Sequence, residues 1–355
     1  GELTDYPVDY REFAADDDSN GPLFYLRGLE DGGHGAEMTA QDVANALLNY
    51  APYEHGFFWW GGYGTSTEHT AYLNLRSGIP APRSGSIAQN GSTIAEQIGG
   101  QIFIDTWGLV APGNPALAAK LAGKAASVTH DGNALYGGIF VAVCISAAFE
   151  EKEIKKILET GLSYIPSDCE YAKIVRTVME FYEEHPQNWR DCFAYIHANY
   201  GYDKYPGNCP MITNHLTLLM AFIMGGDDFQ KACMIACSAG WDTDCNSGNV
   251  GCLNGIRLGL DGFTKGADLR KPVADRLYVV TSDGGSCISD AVIETRKILK
   301  AAAKLNGEEI KLPEERLAFE YPGSVQGIVP YDKDCEEQVL TKIENSYETT
   351  GEYGC

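Results

Sequence analysis

Residues 240–255, Gly-Trp-Asp-Thr-Asp-Cys-Asn-Ser-Gly-Asn-Val-Gly-Cys-Leu-Asn-Gly, set Asp242 and Asp244 two apart in a glycine-flanked segment that runs into a small-residue helix. With Thr243 and Cys245 beside them, these side chains bring several hard oxygen donors to one point. Alone, the segment reads either as half a metal site or as a solvated turn. A second acidic run, Asp16-Asp17-Asp18-Ser19, follows the apolar Phe13-Ala14-Ala15. Three consecutive carboxylates repel one another unless they are solvated, paired or bound to cations. Brought together, Asp16, Asp17, Asp18, Asp242 and Asp244 need about two divalent cations, because like charges a few ångströms apart are costly in a poorly solvated pocket. Oxygen donors favour Mg²⁺ or Mn²⁺ over zinc.

Other residues carry weaker signals. His130, Asn133 and Tyr136 are spaced by three, which predicts one helical face. They read as hydrogen-bond partners for a substrate, as supports for metal ligands, or as satisfied core residues. The stretch Tyr53 to Gly64 is aromatic and glycine-rich, and Trp59, Trp60 and Tyr63 in it suit stacking against a flat ring or a sugar face, or packing in the core. Cys233 and Cys237, four apart, have no second Cys/His pair of matching spacing, so packing is the preferred reading over a zinc half-site.

The elements that must position these groups read as helices. Thr39 caps Ala40–Tyr50 with Asp42 in the first turn, and Asn114-Pro115 opens Ala116–Val128. Ala134 to Phe149 is apolar on all sides and too short for a membrane span, so it predicts a buried central helix. Glu151–Leu162, Cys169–Glu184, Asn188–Tyr200, Met211–Met224, Asp228–Ala239, Asn246–Leu258 and Ser286–Leu305 continue the pattern. Residues 51–110 read as a long ordered loop beside a site. The expectation is an all-α, many-helix globule over residues 1–310. Residues 311–355, rich in Glu and Tyr, read as an appendage that either wraps the globule or leads into a further domain.

The two acidic runs, in this order, resemble the motifs of the ADP-ribosylglycohydrolase family, an early Thr-Asp-Asp-Thr and a late Gly-Gly-Asp-Thr-Asp-Thr followed by a small-residue helix. Thr129-His130-Asp131-Gly132-Asn133-Ala134-Leu135-Tyr136-Gly137 is similar to the family's His-x-x-Asn-x-x-Tyr-Gly helix start, and Asn214 precedes Gly225-Gly226-Asp227-Asp228 as in the family. The resemblance spans roughly residues 6–305 and implies a compact helical fold around a two-metal cleft. It also implies hydrolysis of the bond between the anomeric carbon of ADP-ribose and a side chain or small acceptor. By motif position Asp17, Asp18, Asp242 and Asp244 are implied ligands. Asp16 stands at a Thr position, Ser19 keeps a hydroxyl at another, and Cys245 replaces a Thr hydroxyl, which makes it a weak ligand or a spectator. The resemblance further implies substrate contacts from His130, Asn133, Tyr136 and Asn214. The family's opening Gly-Asp-Ala-x-Gly segment with its downstream Glu has no counterpart after Gly1. Glu68, in Thr65-Ser66-Thr67-Glu68-His69, is the substitute to be expected, and with Asp18 it forms the candidate catalytic pair. For Glu68 the alternative is a solvated first-turn residue.

A two-metal centre holds vicinal ribose hydroxyls and orients a water toward the anomeric carbon. The same motifs leave open a metal-dependent glycoside or nucleoside hydrolase, and a non-catalytic ADP-ribose-binding module. The net charge of −22 argues against unaided binding to nucleic acid or an anionic membrane. Eleven cysteines, an odd number and mostly in apolar helical contexts, favour a reduced, cytoplasmic compartment.

Overall fold

The computed structural model describes residues 2–6, 10, 13–185 and 188–313, and beyond these 316–317, 319, 324–328, 346–347 and 353–354. In chain order the helices are α1 (Asp17–Gly32), α2 (Ala40–Tyr50), α3 (Thr67–Arg76), α4 (Ile87–Asn90), α5 (Ser92–Ala95), α6 (Gly99–Ile102), α7 (Asp105–Leu109) and α8 (Pro115–Ala126). They continue as α9 (Gly132–Ala148), α10 (Ile154–Ser163), α11 (Glu170–Glu184), α12 (Trp189–Tyr200), α13 (Met211–Gly225), α14 (Phe229–Ala239), α15 (Thr243–Phe263) and α16 (Ala291–Leu305). The all-α class is what the periodicity predicts. A two-residue ribbon, β1 (Leu277–Tyr278) against β2 (Ile288–Ser289), is antiparallel, as is β3 (Ser346–Tyr347) against β4 (Tyr353–Gly354).

Helices α9 and α13 form the centre. Phe140, Val141, Ala142, Val143, Cys144 and Ile145 of α9 are all within 1% of full burial, and Leu218 to Phe222 of α13 are equally enclosed. Each large apolar side chain so buried contributes roughly 1.5–3 kcal/mol. The outer helices are one-sided and capped. Helix α2 begins with a full capping box between Thr39 and Asp42, worth about 1 kcal/mol.

Three expectations need correction, and one helix has no counterpart among them. Residues 51–110 are not one long loop, because α3 and four short helices lie within them. Their Gly and Ser content hides turns capped by Ser66 and Ser86. Helix α1 escapes a pattern search because Gly21, Pro22, Gly28 and Gly32 interrupt it. Two of these glycines permit close approach: a Cβ on Gly21 would overlap the Phe103 ring, and one on Gly28 would stand 2.7 Å from Val43 Cα. The helix expected at Asn246–Leu258 starts at Thr243 and runs to Phe263, with a left-handed residue at Gly259. The helix expected from Ser286 starts at Ala291, capped by Asp290, since residues 288–289 pair with β1 instead.

Most of 311–355, Tyr321-Pro322-Gly323 included, lies outside the described residues. Within it, the Val325 and Gln326 amides donate to Asp275 on the globule. Among the described residues no helix is long and apolar enough to cross a membrane.

Candidate functional site

Three helix N-termini converge on the acidic residues. Asp16 is the N-cap of α1 and accepts from the Asp18 amide at 3.0 Å, leaving Asp17 and Asp18 in the first turn. At the second N-terminus, α14 closes on the left-handed Gly240 and the chain passes through Trp241 to Asp242, the N-cap of α15. Asp242 itself sits at φ 45°, ψ 56°, a left-handed conformation that costs a non-glycine residue of order 1 kcal/mol or more. Its side chain makes no capping bond to α15, so the turn spends its carboxylate elsewhere. The third N-terminus is that of α3, where Ser66 accepts from the His69 amide and carries Glu68 in the first turn. Each N-terminus presents the positive end of a helix dipole, which partly offsets the assembled negative charge.

Ligand atoms of Asp16, Asp17 and Asp18 lie within 4.8 Å of one another, and so do those of Asp18, Asp244 and Cys245. Asp18 belongs to both groups. Both Asp18 carboxylate oxygens and Asp242 Oδ2 are buried without an N–H or O–H donor, and the weak thiol donor Cys245 is what Asp18 and Asp242 have beside them. Burial first, then the neighbouring carboxylates, push Asp18 up to about 9 and Asp17 up to about 8. Asp242 is pushed up to about 6, by burial and then by Asp244. Orphaned carboxylate oxygens whose neighbours are other carboxylates are a donor set that fits hard divalent cations. The Cys245 thiol is held far above its ordinary value by burial and by Asp18, Asp242 and Asp244, so it offers a neutral, soft atom to this site.

Asp242 stands beside the group formed by Asp18, Asp244 and Cys245: the Cys245 thiol hydrogen-bonds it and the Asp244 charge raises it. The charge of Asp242 is felt both at Cys245 and at Glu68, so Asp242 stands between the acidic cluster and the Glu68 carboxylate.

Glu68 is 5% exposed, which excludes the solvated first-turn alternative. Burial, with Asp242 adding repulsion, pushes it up to about 7. His130 Nε2 lies 3.5 Å from Glu68 Oε1. Burial pushes His130 down to about 3, so the ring is neutral at ordinary pH and the contact is not an ion pair. Its Nδ1 meets Thr129 Oγ1 at 2.7 Å, and Thr129 in turn meets Tyr25.

A family model for ADP-ribosylglycohydrolase matches residues 1–303, a span that takes in all three N-termini and the whole helical core. The chain belongs to the ADP-ribosylglycohydrolase family. It is therefore a hydrolase-type domain of that family, and its all-α architecture agrees with the assignment. No curated protein matches the chain.

Not all residues assigned to an ADP-ribosylglycohydrolase site by spacing come together. His130 precedes the N-cap Asp131 of α9, so it shares no helical face with Asn133 and Tyr136. At 1% exposure it lies behind Glu68. Asn133 turns the other way, donating to Glu170 at 3.1 Å and accepting from the Tyr171 amide. Tyr136 is packed against the core, with Asp131, Cys169 and Asp168 as its charged surroundings. Asn214 is fully buried and accepts from the Tyr202 hydroxyl at 2.8 Å. Trp59 lines a small pocket with Asp16, Asp17 and His55, and its indole N–H donates to the Pro52 and His55 carbonyls. Trp60 is half-buried, and Tyr63 is exposed with its hydroxyl on Asn74.

Tyr202 and Cys209 are near the acids and were not foreseen. Burial, then Asp242, Glu68, Asp244 and Asp17, push the Cys209 thiol up to about 12. Burial likewise raises Tyr202, which also feels Asp242 and Cys245. Both lie in the 201–210 connection, whose Gly and Pro content signals only a turn.

Gly99 is the steric key to Glu68. A Cβ there would overlap Glu68 Oε1 and stand 2.8 Å from His130 Nε2. Gly99→Ala is expected to lower thermal stability by about 1–3 kcal/mol, because the added methyl must displace the buried Glu68 carboxylate or the His130 ring. Activity is expected to fall by about tenfold or more, because a displacement near 1 Å at a catalytic group is costly. Thermal unfolding beside turnover measurements checks it: equal loss of both would assign the glycine to folding alone.

Proposed function

We propose that this family member is a divalent-cation-dependent hydrolase that cleaves the anomeric bond of an ADP-ribosyl group, attached to a side chain or a small acceptor, and releases ADP-ribose. The observation that carries the reading is the shared place of Asp18, without an N–H or O–H donor on either oxygen, in two adjacent ligand groups. Asp16, Asp17 and Asp18 would hold one Mg²⁺ or Mn²⁺ ion, and Asp18 and Asp244 a second, with Asp242 supplying further negative charge and Cys245 a weak donor. Ions held there would orient the vicinal ribose hydroxyls and make a bound water more acidic.

Glu68 is the general base in this reading. It is buried, within the field of Asp242 and outside both ligand groups, so it remains free to take a proton from a water at the anomeric carbon. The Ser66 hydroxyl donates to Glu68 Oε2 at 3.3 Å, and the neutral His130 ring packs behind the carboxyl. Trp59, beside Asp16 and Asp17, offers a ring edge for the substrate. A second reading, a nucleoside or simple glycoside as substrate, is favoured by one observation. Among the described residues, no Lys or Arg figures in the environment that shifts Asp17, Asp18, Asp242 or Glu68, so no cationic side chain is seen to await a diphosphate.

Arginine- and serine-ADP-ribosylated peptides, aryl glycosides and nucleosides, each with and without EDTA, separate the two. The expected result is ADP-ribose release that EDTA abolishes. Turnover of simple glycosides alone moves the substrate to the second reading. Cation-independent turnover, or release of inorganic phosphate, overturns the mechanism.

A further inference from the structure

The left-handed turn at Asp242 must be held by something other than its own helix cap, and the structure shows what reaches it. Asn246, fully buried in the second turn of α15, donates from Nδ2 to the Trp241 carbonyl at 3.1 Å and to Thr217 Oγ1 at 2.6 Å. Its own amide donates to the Asp242 carbonyl at 3.1 Å. Asn246 Oδ1 accepts from Gln101 Nε2 at 3.2 Å, and the same Gln101 nitrogen donates to Asn249 Oδ1 at 2.9 Å. Gln101 Oε1 lies 2.7 Å from His215 Nδ1, and His215 Nε2 lies 2.7 Å from the Tyr171 hydroxyl.

These bonds have only one consistent direction. The Gln101 oxygen accepts, so His215 carries its proton on Nδ1 and takes the Tyr171 hydroxyl proton at Nε2. Gln101 then donates to both asparagines, and their amide nitrogens face acceptors: Trp241 O and Thr217 for Asn246, Asp105 Oδ1 for Asn249. Thr217 passes its proton to the Asn214 carbonyl. Reversing any one amide would set donor against donor along the chain. From the other side, Trp241 is packed by Phe193, Tyr202 and a stacked His197.

We infer that Asn246 is a positioning residue for the acidic turn: through the Trp241 carbonyl it holds Asp242 in its left-handed conformation and so sets where the Asp242 and Asp244 carboxylates stand. Its functional consequence rests on the cation reading above, but its structural content does not. Asn249 is the internal control. It occupies the same helix, the same network and the same degree of burial, yet it does not touch the turn.

Hydrogen–deuterium exchange of the backbone amides at 242–246, with Mn²⁺ titration calorimetry, tests this in the full chain. Asn246→Ala is expected to raise exchange there by about tenfold and to weaken Mn²⁺ binding at least tenfold. Asn249→Ala is expected to lose comparable thermal stability while leaving both within about twofold of the parent. Should the alanine variant not fold, Asn246→Leu, which is of similar volume, removes both donors and adds no titratable group, and is expected to give the same signature. Equal exchange at 242–246 in the Asn246 and Asn249 variants overturns the inference. Absence of Mn²⁺ binding by the parent chain overturns the cation reading, while the exchange measurement still decides the role of Asn246.

Discussion

Asp18→Asn is expected to abolish turnover and to weaken Mg²⁺ and Mn²⁺ binding by about 10- to 100-fold, the scale of a lost buried charge-assisted contact. The effect exceeds that of the other aspartates because Asp18 alone belongs to both ligand groups. The same substitution is expected to stabilise the cation-free protein, since a neutral amide replaces a buried carboxylate that meets no N–H or O–H donor. The sign of the pH dependence follows. Burial and the neighbouring carboxylates push Asp17 and Asp18 up to about 8 and about 9 in the folded protein, well above the ordinary 3.8. Between about pH 4 and pH 9 the folded state therefore holds protons that the unfolded chain has released, and stability without cations falls as pH rises through that window. Added Mn²⁺ opposes this fall. Unfolding followed at pH 5 and pH 8, with and without Mn²⁺, checks both statements. A parent protein equally stable at the two pH values without cations, or an Asp18→Asn variant with undiminished Mn²⁺ affinity, would remove the basis for the site.

Glu68→Gln is expected to lower kcat by about 10²- to 10⁴-fold, the usual contribution of a positioned general base, while cation affinity stays within a few-fold because Glu68 is in neither ligand group. Its titration at about 7 predicts activity that rises with pH up to neutrality, as the carboxyl loses its proton. Burial is the larger cause of that value and the charge of Asp242 adds to it, so cation binding near Asp242 should move the limb to lower pH. A pH–rate profile at saturating Mn²⁺ measures this. Retention of activity within tenfold in the Gln variant would assign the proton transfer to another group.

Much of the molecule is legible from the residues alone. Helices α2 and α9 to α14 follow from apolar periodicity and from caps such as Thr39, Asn188 and Asp228, which are local properties of the chain. The two acidic runs announce themselves because consecutive carboxylates are anomalous without counter-charge, and the order of the motifs points to the family. Spacing within one run describes only one element, however. It suggests a helical face for His130, Asn133 and Tyr136 that the N-cap at Asp131 divides.

What the tertiary structure decided is which groups share a volume. Whether Glu68 is a solvated helix-start residue or a buried base depends on α6 passing close enough to enclose it, and that approach is possible only because Gly99 has no side chain. That α1 brings Asp18 to Asp244 depends on Gly21 and Gly28 letting it close on Phe103 and Val43, elements remote in sequence. Burial and like-charge proximity, which push these acids up and create the demand for cations, are properties of that convergence; residue type and order determine which groups are available, and packing determines which of them meet.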